Sequence, residues 1–127
     1  SRKEKLGFLW DHKKNDILTA ILQGAFDPNI NWHITDIPEY TPDDSPIGLN
    51  PSSLYSVIPK CTIFAIGHPK SAGVEKKRMI ELLIQVLESM HEDESNLYVG
   101  MLKKKLKVKG LTESMVLEVF PDLYRKV

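Results

Sequence analysis

In "NDILTAILQG" the apolar residues Ile17, Leu18, Ile21 and Leu22 fall at i, i+1, i+4 and i+5, the spacing of one helical face. Asn15 or Asp16 can cap the start of that helix and Gly24 can stop it. The preceding run "KLGFLWD" is short, apolar and closed by an acid, which predicts a strand. "NINWHITDI" is rich in β-branched and aromatic residues directly after the Asp27-Pro28 turn signal and predicts a second strand. "CTIFAI", apolar almost throughout, predicts a third strand covered on both faces. The clearest helix spans 74–90, where Met79, Leu83, Val86, Leu87 and Met90 form a stripe widened by Ile80 and Ile84. Leu82 lies off that face, so the helix is expected to touch more than one neighbour. Between the second and third strands, "PEYTPDDSPIGLNP" carries Pro38, Pro42, Pro46 and Pro51 and reads as a long surface loop. Asn50-Pro51 then opens a short helix through "SSLYSV".

Strand, helix, strand, short helix, strand, helix is the order of an α/β unit, because parallel strands need crossovers that cover the sheet. Residues 1–90 are therefore expected to form a small three-layer domain with a mostly parallel sheet. From 91 to 127 the pattern is purely helical. After the polar junction "HEDES", Tyr98, Met101, Leu102 and Leu106 predict a helix stopped by Gly110. Thr112 can cap "ESMVLEVF", which Pro121 terminates. This part is expected to pack on the first as a helical, winged-helix-like appendage.

The 127 residues suffice for one domain with a real core, and 42% hydrophobic against 27% charged residues excludes a disordered chain. No apolar run approaches the roughly 18 residues that cross a bilayer, so no membrane partner is expected. The basic opening "SRKEK" precedes no signal-type segment and reads as the start of a piece of a longer protein. Cys61 is the single cysteine and lies in an apolar run, which favours a reducing compartment, cytoplasm or nucleus. Its setting, without a sequence-identifiable histidine partner, argues against a nucleophile.

The formal net charge of zero hides a local excess. From 96 to 127, seven basic residues (Lys103, Lys104, Lys105, Lys107, Lys109, Arg125 and Lys126) face only Glu113, Glu118 and Asp122. Such a density can neutralise phosphates, which demand no particular side-chain geometry. Helices also place lysines outward with their stems over apolar neighbours, and the upstream "EDE" can cancel part of the field, so a merely solvated face remains the alternative. The segments "MIELLIQVLESMHEDESNLYVGMLKKKL" and "GLTESMVLEVFPDLYRKV" resemble the LOTUS, or OST-HTH, domain, a winged-helix-like module of RNA-associated proteins. That resemblance implies RNA or protein-helix binding, with Lys103, Lys104, Lys105 and Lys107 as phosphate contacts.

The expected strand ends carry Asp11, Asp36 and His68, and ligands of open α/β sheets bind beyond such ends. The start "LGFLWD" resembles NYN or PIN nucleases, which implies Asp11, with Asp36, as magnesium ligands. "GHPKSAG" stands where that family carries paired acids, which implies a degenerate, non-catalytic relative. The same loop can be read as an anion site built from Lys70, Ser71 and Gly73 at the start of the long helix, although it lacks the Walker pattern, or as a plain loop with an N-cap serine.

Together these readings predict a non-catalytic binding module without a cofactor, its partner RNA or another protein. The alternatives are a metal-dependent nuclease and a structural domain that forms a homodimer through the Pro-rich loop or an uncovered sheet edge.

Overall fold

The computed structural model describes residues 1–108 and 110–125. Helices α1 (Arg2–Asp11), α2 (Asp16–Phe26), α3 (Leu54–Val57), α4 (Lys76–Glu88), α5 (Glu92–Leu102) and α6 (Glu113–Val119) are joined by loops and by 3-10 helices over Ile58–Phe64 and Pro69–Ser71. The expected α/β sheet is not there: among the described residues β structure is reduced to two isolated bridges, Trp32 to Ala65 and Asp43 to His91. Among the described residues no helix is long and apolar enough to cross a membrane.

Each of the three expected strands takes another form. In α1 only Leu6 and Leu9, three positions apart, pack inward, while Phe8 and Trp10 remain exposed. Helical spacing thus decides which members of the run "GFLW" are buried. Over Ile58–Phe64, proline at the start favours a tight turn of helix, and Ile58, Cys61 and Phe64 are buried. A repeat of three residues per turn puts these three on one face. Residues 29–37 do run beside 64–66, with His33 N–H donating to the Phe64 carbonyl at 2.8 Å and Ile66 N–H to that of Asn31 at 2.8 Å. The pairing ends there because its partner segment has already coiled.

The other helices follow their caps. Asn15 accepts the amide hydrogens of Ile17 and Leu18 at 3.0 and 3.2 Å, and Thr112 accepts that of Met115 at 3.3 Å. In α4, Met79, Leu83 and Leu87 are buried at i, i+4 and i+8. Residues of α4 and α5 share one core cluster with Ile21, Trp32, Ile34 and Phe64, in which Tyr98, Met101 and Leu102 are fully enclosed. The buried Ser95 hydroxyl ties the two helices by donating to the Leu87 carbonyl at 2.7 Å. A smaller cluster joins α1, α2 and α6 through Leu9, Leu22, Val116, Val119 and Phe120.

Gly24 lies within α2 instead of ending it, and its use is packing. A Cβ there would come within 2.7 Å of the Met101 side chain and 2.8 Å of the Trp32 ring. Its carbonyl also lacks the usual helical donor, since position i+4 is Pro28. The Trp32 indole N–H supplies that bond at 2.9 Å.

The long loop clasps the end of α4: Asp43 N–H donates to the Met90 carbonyl at 3.0 Å and Ser52 N–H to that of Ser89 at 2.8 Å. The Asp43 carboxylate accepts from the Asn50 side chain at 2.7 Å and the Ser45 amide at 3.3 Å. The Asn50 bond, foremost, holds this carboxyl below the ordinary carboxylate range. A depressed folded pKa contributes stability above the unfolded value, and that stability is lost as pH falls through the folded one. Protection of the Asp43 amide against hydrogen exchange is therefore expected to fall below about pH 4, where free aspartate titrates. In Asp43→Asn that pH dependence should disappear; an unchanged acid response in the variant would count against this assignment.

Candidate polyanion-binding groove

α5 ends in a Schellman motif, with Lys105 N–H donating to the Gly100 carbonyl at 2.9 Å and Lys104 N–H to that of Met101 at 3.1 Å. The residue between these turns must be left-handed, and Lys104 takes that place at φ 59°. Its ammonium is turned away from the other lysines to donate to the Asp27 carbonyl at 2.5 Å. Partial burial lowers its pKa, against the opposing pull of Asp27. Lys104 is thus a tie between the end of α5 and the end of α2.

Beyond it the chain is extended, and its side chains alternate. Lys105 and Lys107 line a groove of about 740 Å³ together with Lys103 and the α5 residues Asp93, Asn96 and Gly100. Leu106 and Val108 line the opposite side, an apolar cavity of about 470 Å³. A period of two along "KLKV" explains the division. The helix expected to run on to Gly110 therefore ends at Leu102. Gly100 lets this segment lie close, since a Cβ there would meet the Lys105 carbonyl at 3.1 Å.

The electrostatics of the groove are one-sided. Lys103, Lys105 and Lys107 are exposed and form no ion pair among the described residues. Of the acids in "EDE" only Asp93 lines the groove, while Glu94 is turned to accept the Leu54 amide hydrogen at 3.0 Å. Among the described residues no aromatic side chain lines it. The arrangement can hold anionic groups by charge, and it contains no stacking platform for a base.

Comparisons with protein-family models, curated proteins and solved structures find no match. Neither resemblance read from the sequence gains support from them.

The remaining candidates are dispersed. Lys109 lies outside the described residues. Asp11 closes α1 and Asp36 sits in the 29–37 segment, both exposed. Among the described residues no group of three or more His, Cys, Asp or Glu side chains is placed to hold a metal ion. The sheet whose strand ends would have gathered Asp11, Asp36 and His68 is missing. Ser71 is buried, its hydroxyl donating to the Ala65 carbonyl at 2.6 Å, and the cap of α4 is Glu75, so Ser71 is not the N-cap serine of that helix. Gly73 takes a left-handed turn at φ 74°, and Lys70 borders a different cavity.

Cys61 is 8% exposed, and burial pushes its thiol up to about 11. Alkylation by iodoacetamide at neutral pH is expected to proceed only as the protein unfolds, its rate rising with urea. Rapid labelling of the folded protein would contradict this burial.

Proposed function

We propose that this chain is a non-catalytic binding module whose groove along α5 and the 103–107 segment holds the phosphodiester backbone of RNA. The observation that carries the reading is the convergence of Lys103, Lys105 and Lys107 on one concave surface with a single carboxylate. Ammonium groups on flexible stems suit phosphates, which ask for charge without a fixed geometry. The want of aromatic groups among the described lining residues implies binding through the backbone without base stacking, and so with little preference for sequence.

Fluorescence anisotropy with a labelled single-stranded oligoribonucleotide tests this. At physiological salt the affinity is expected in the range of non-specific binding, with dissociation constants of about 10⁻⁴–10⁻⁶ M, and it should tighten as salt is lowered. Oligomers of equal length and different sequence should bind alike. Failure to bind any of them at low ionic strength would end the RNA reading.

A further inference from the structure

Asp93, the carboxylate that lines the lysine groove, stands in the first turn of α5 beside a histidine. His91 caps that helix, its Nδ1 accepting the Asp93 amide hydrogen at 3.1 Å. The same ring nitrogen lies 3.7 Å from an Asp93 carboxylate oxygen. The backbone of His91 is held in place: its carbonyl accepts the amide hydrogens of Glu94 and Ser95 at 3.0 Å each, and it forms the bridge to Asp43 of the long loop. Any adjustment on protonation therefore falls to the ring.

An imidazole accepts the amide hydrogen only while Nδ1 carries no proton, because both nitrogens of an imidazolium are donors. Protonation breaks the cap and leaves the ring with a hydrogen in need of an acceptor. The charged groups next to it are Glu92, Asp93 and Glu94 of α5 and Asp43 of the loop. Glu94 is engaged by the Leu54 amide, and Asp43 by the Asn50 side chain and the Ser45 amide. Asp93 is the one carboxylate in ion-pair contact with the ring among the described residues, and its side chain is exposed and free to follow the ring.

We propose that His91 makes the groove pH-sensitive: its imidazolium pairs with Asp93, cancels the one negative charge among Lys103, Lys105 and Lys107, and strengthens the hold on phosphates in weak acid. This inference rests on the reading of the groove as a phosphate site. Phosphate binding then favours the protonated ring, so by linkage affinity rises as pH falls through the range, about pH 8 to 5, in which histidine changes charge. His12, His33 and His68 are not among the described residues that line the groove.

Fluorescence anisotropy of the full chain with a single-stranded oligoribonucleotide, at low and constant ionic strength, is compared at about pH 8 and about pH 5.5, towards the two ends of that range. Wild-type affinity is expected to be about threefold higher at the lower pH, the effect of one unit charge several ångströms away in water. His91→Asn keeps a side-chain acceptor for the cap but has no proton to gain, and it should flatten the response. Asp93→Asn should bind at the higher pH more tightly than wild type, by a similar factor, and gain little more in acid. The Asp93 side chain is exposed, so this second variant serves even if the cap variant does not fold. Equal wild-type affinity at both pH values, or a response that persists at full size in His91→Asn or Asp93→Asn, overturns the role of His91 and leaves phosphate binding intact. No binding at either pH overturns the phosphate reading and this inference with it.

Discussion

Trp32→Ala is expected to destabilise the protein by about 3–5 kcal/mol, the range for deleting a large buried aromatic side chain. Trp32 is 6% exposed and wedged where α2 passes α5, and its indole completes the hydrogen bonding of a helix that Pro28 interrupts. Trp32→Phe keeps one aromatic ring but removes both the donor to the Gly24 carbonyl and part of the indole volume, so its cost is expected to lie between the about 1–3 kcal/mol of an unpaired carbonyl and the loss for alanine. Gly24→Ala probes the same crossing from the other side. Alanine is the better helix former by about 1 kcal/mol, yet the overpacking against Met101 should outweigh this and leave a net loss of stability. Urea unfolding followed by circular dichroism gives all three values. A gain in stability for Gly24→Ala would show that α2 and α5 do not approach as described.

The second large effect concerns the lysines, which the structure divides into two kinds. Charge reversal of Lys103, Lys105 and Lys107 to Glu should weaken RNA binding by at least tenfold at low salt, since three favourable phosphate contacts become repulsive. The fold should tolerate it, because all three are exposed and unpaired among the described residues. Lys104→Ala should do the reverse. It keeps the left-handed backbone at that position but loses the bond to Asp27, so about 1 kcal/mol of stability goes while RNA affinity is retained. Melting curves and anisotropy on the same preparations separate the two classes. A loss of binding on Lys104→Ala equal to that of the groove lysines would return all the lysines to one undivided basic face.

What could be read from the sequence was what local chemistry decides. The caps Asn15 and Thr112 and the stripe Met79, Leu83, Leu87 located α2, α6 and α4, because capping and amphipathic spacing act within a few residues. The strands went wrong where short apolar runs suit more than one backbone. In "GFLW" nothing local announces the helix whose spacing buries Leu9 and exposes Phe8; the packing of α1 against α2 and α6 brings it about. In "IPKCTIF" the three-residue spacing of Ile58, Cys61 and Phe64 was visible, and Pro59 favoured it, but a continuous run reads as easily as a covered strand. Gly24 resembles a helix stop until Met101 and Trp32, distant in sequence, are seen to need its missing Cβ.

The site followed the same division. That the segment around Lys103 is basic was plain, and the alternation of Lys105, Leu106, Lys107 and Val108 was there to be read as an extended stretch. The preceding helix pattern concealed it. The separate task of Lys104 has no sequence signal, since a left-handed helix end ordinarily advertises itself by glycine or asparagine. Nor could composition reveal that Glu94 turns away to the Leu54 amide and leaves the groove with one acid.

The most direct test of the groove is the dependence of RNA affinity on salt. Three phosphate contacts on a single strand give a slope of log K against log salt of about −2, or roughly a twentyfold loss between 50 and 200 mM. Replacing Lys103, Lys105 and Lys107 together with alanine should bring that slope close to zero, and Lys104→Ala should leave it near the wild-type value. A wild-type slope already near zero, or one that the triple replacement leaves unchanged, would contradict the assignment of these three side chains to a phosphate backbone.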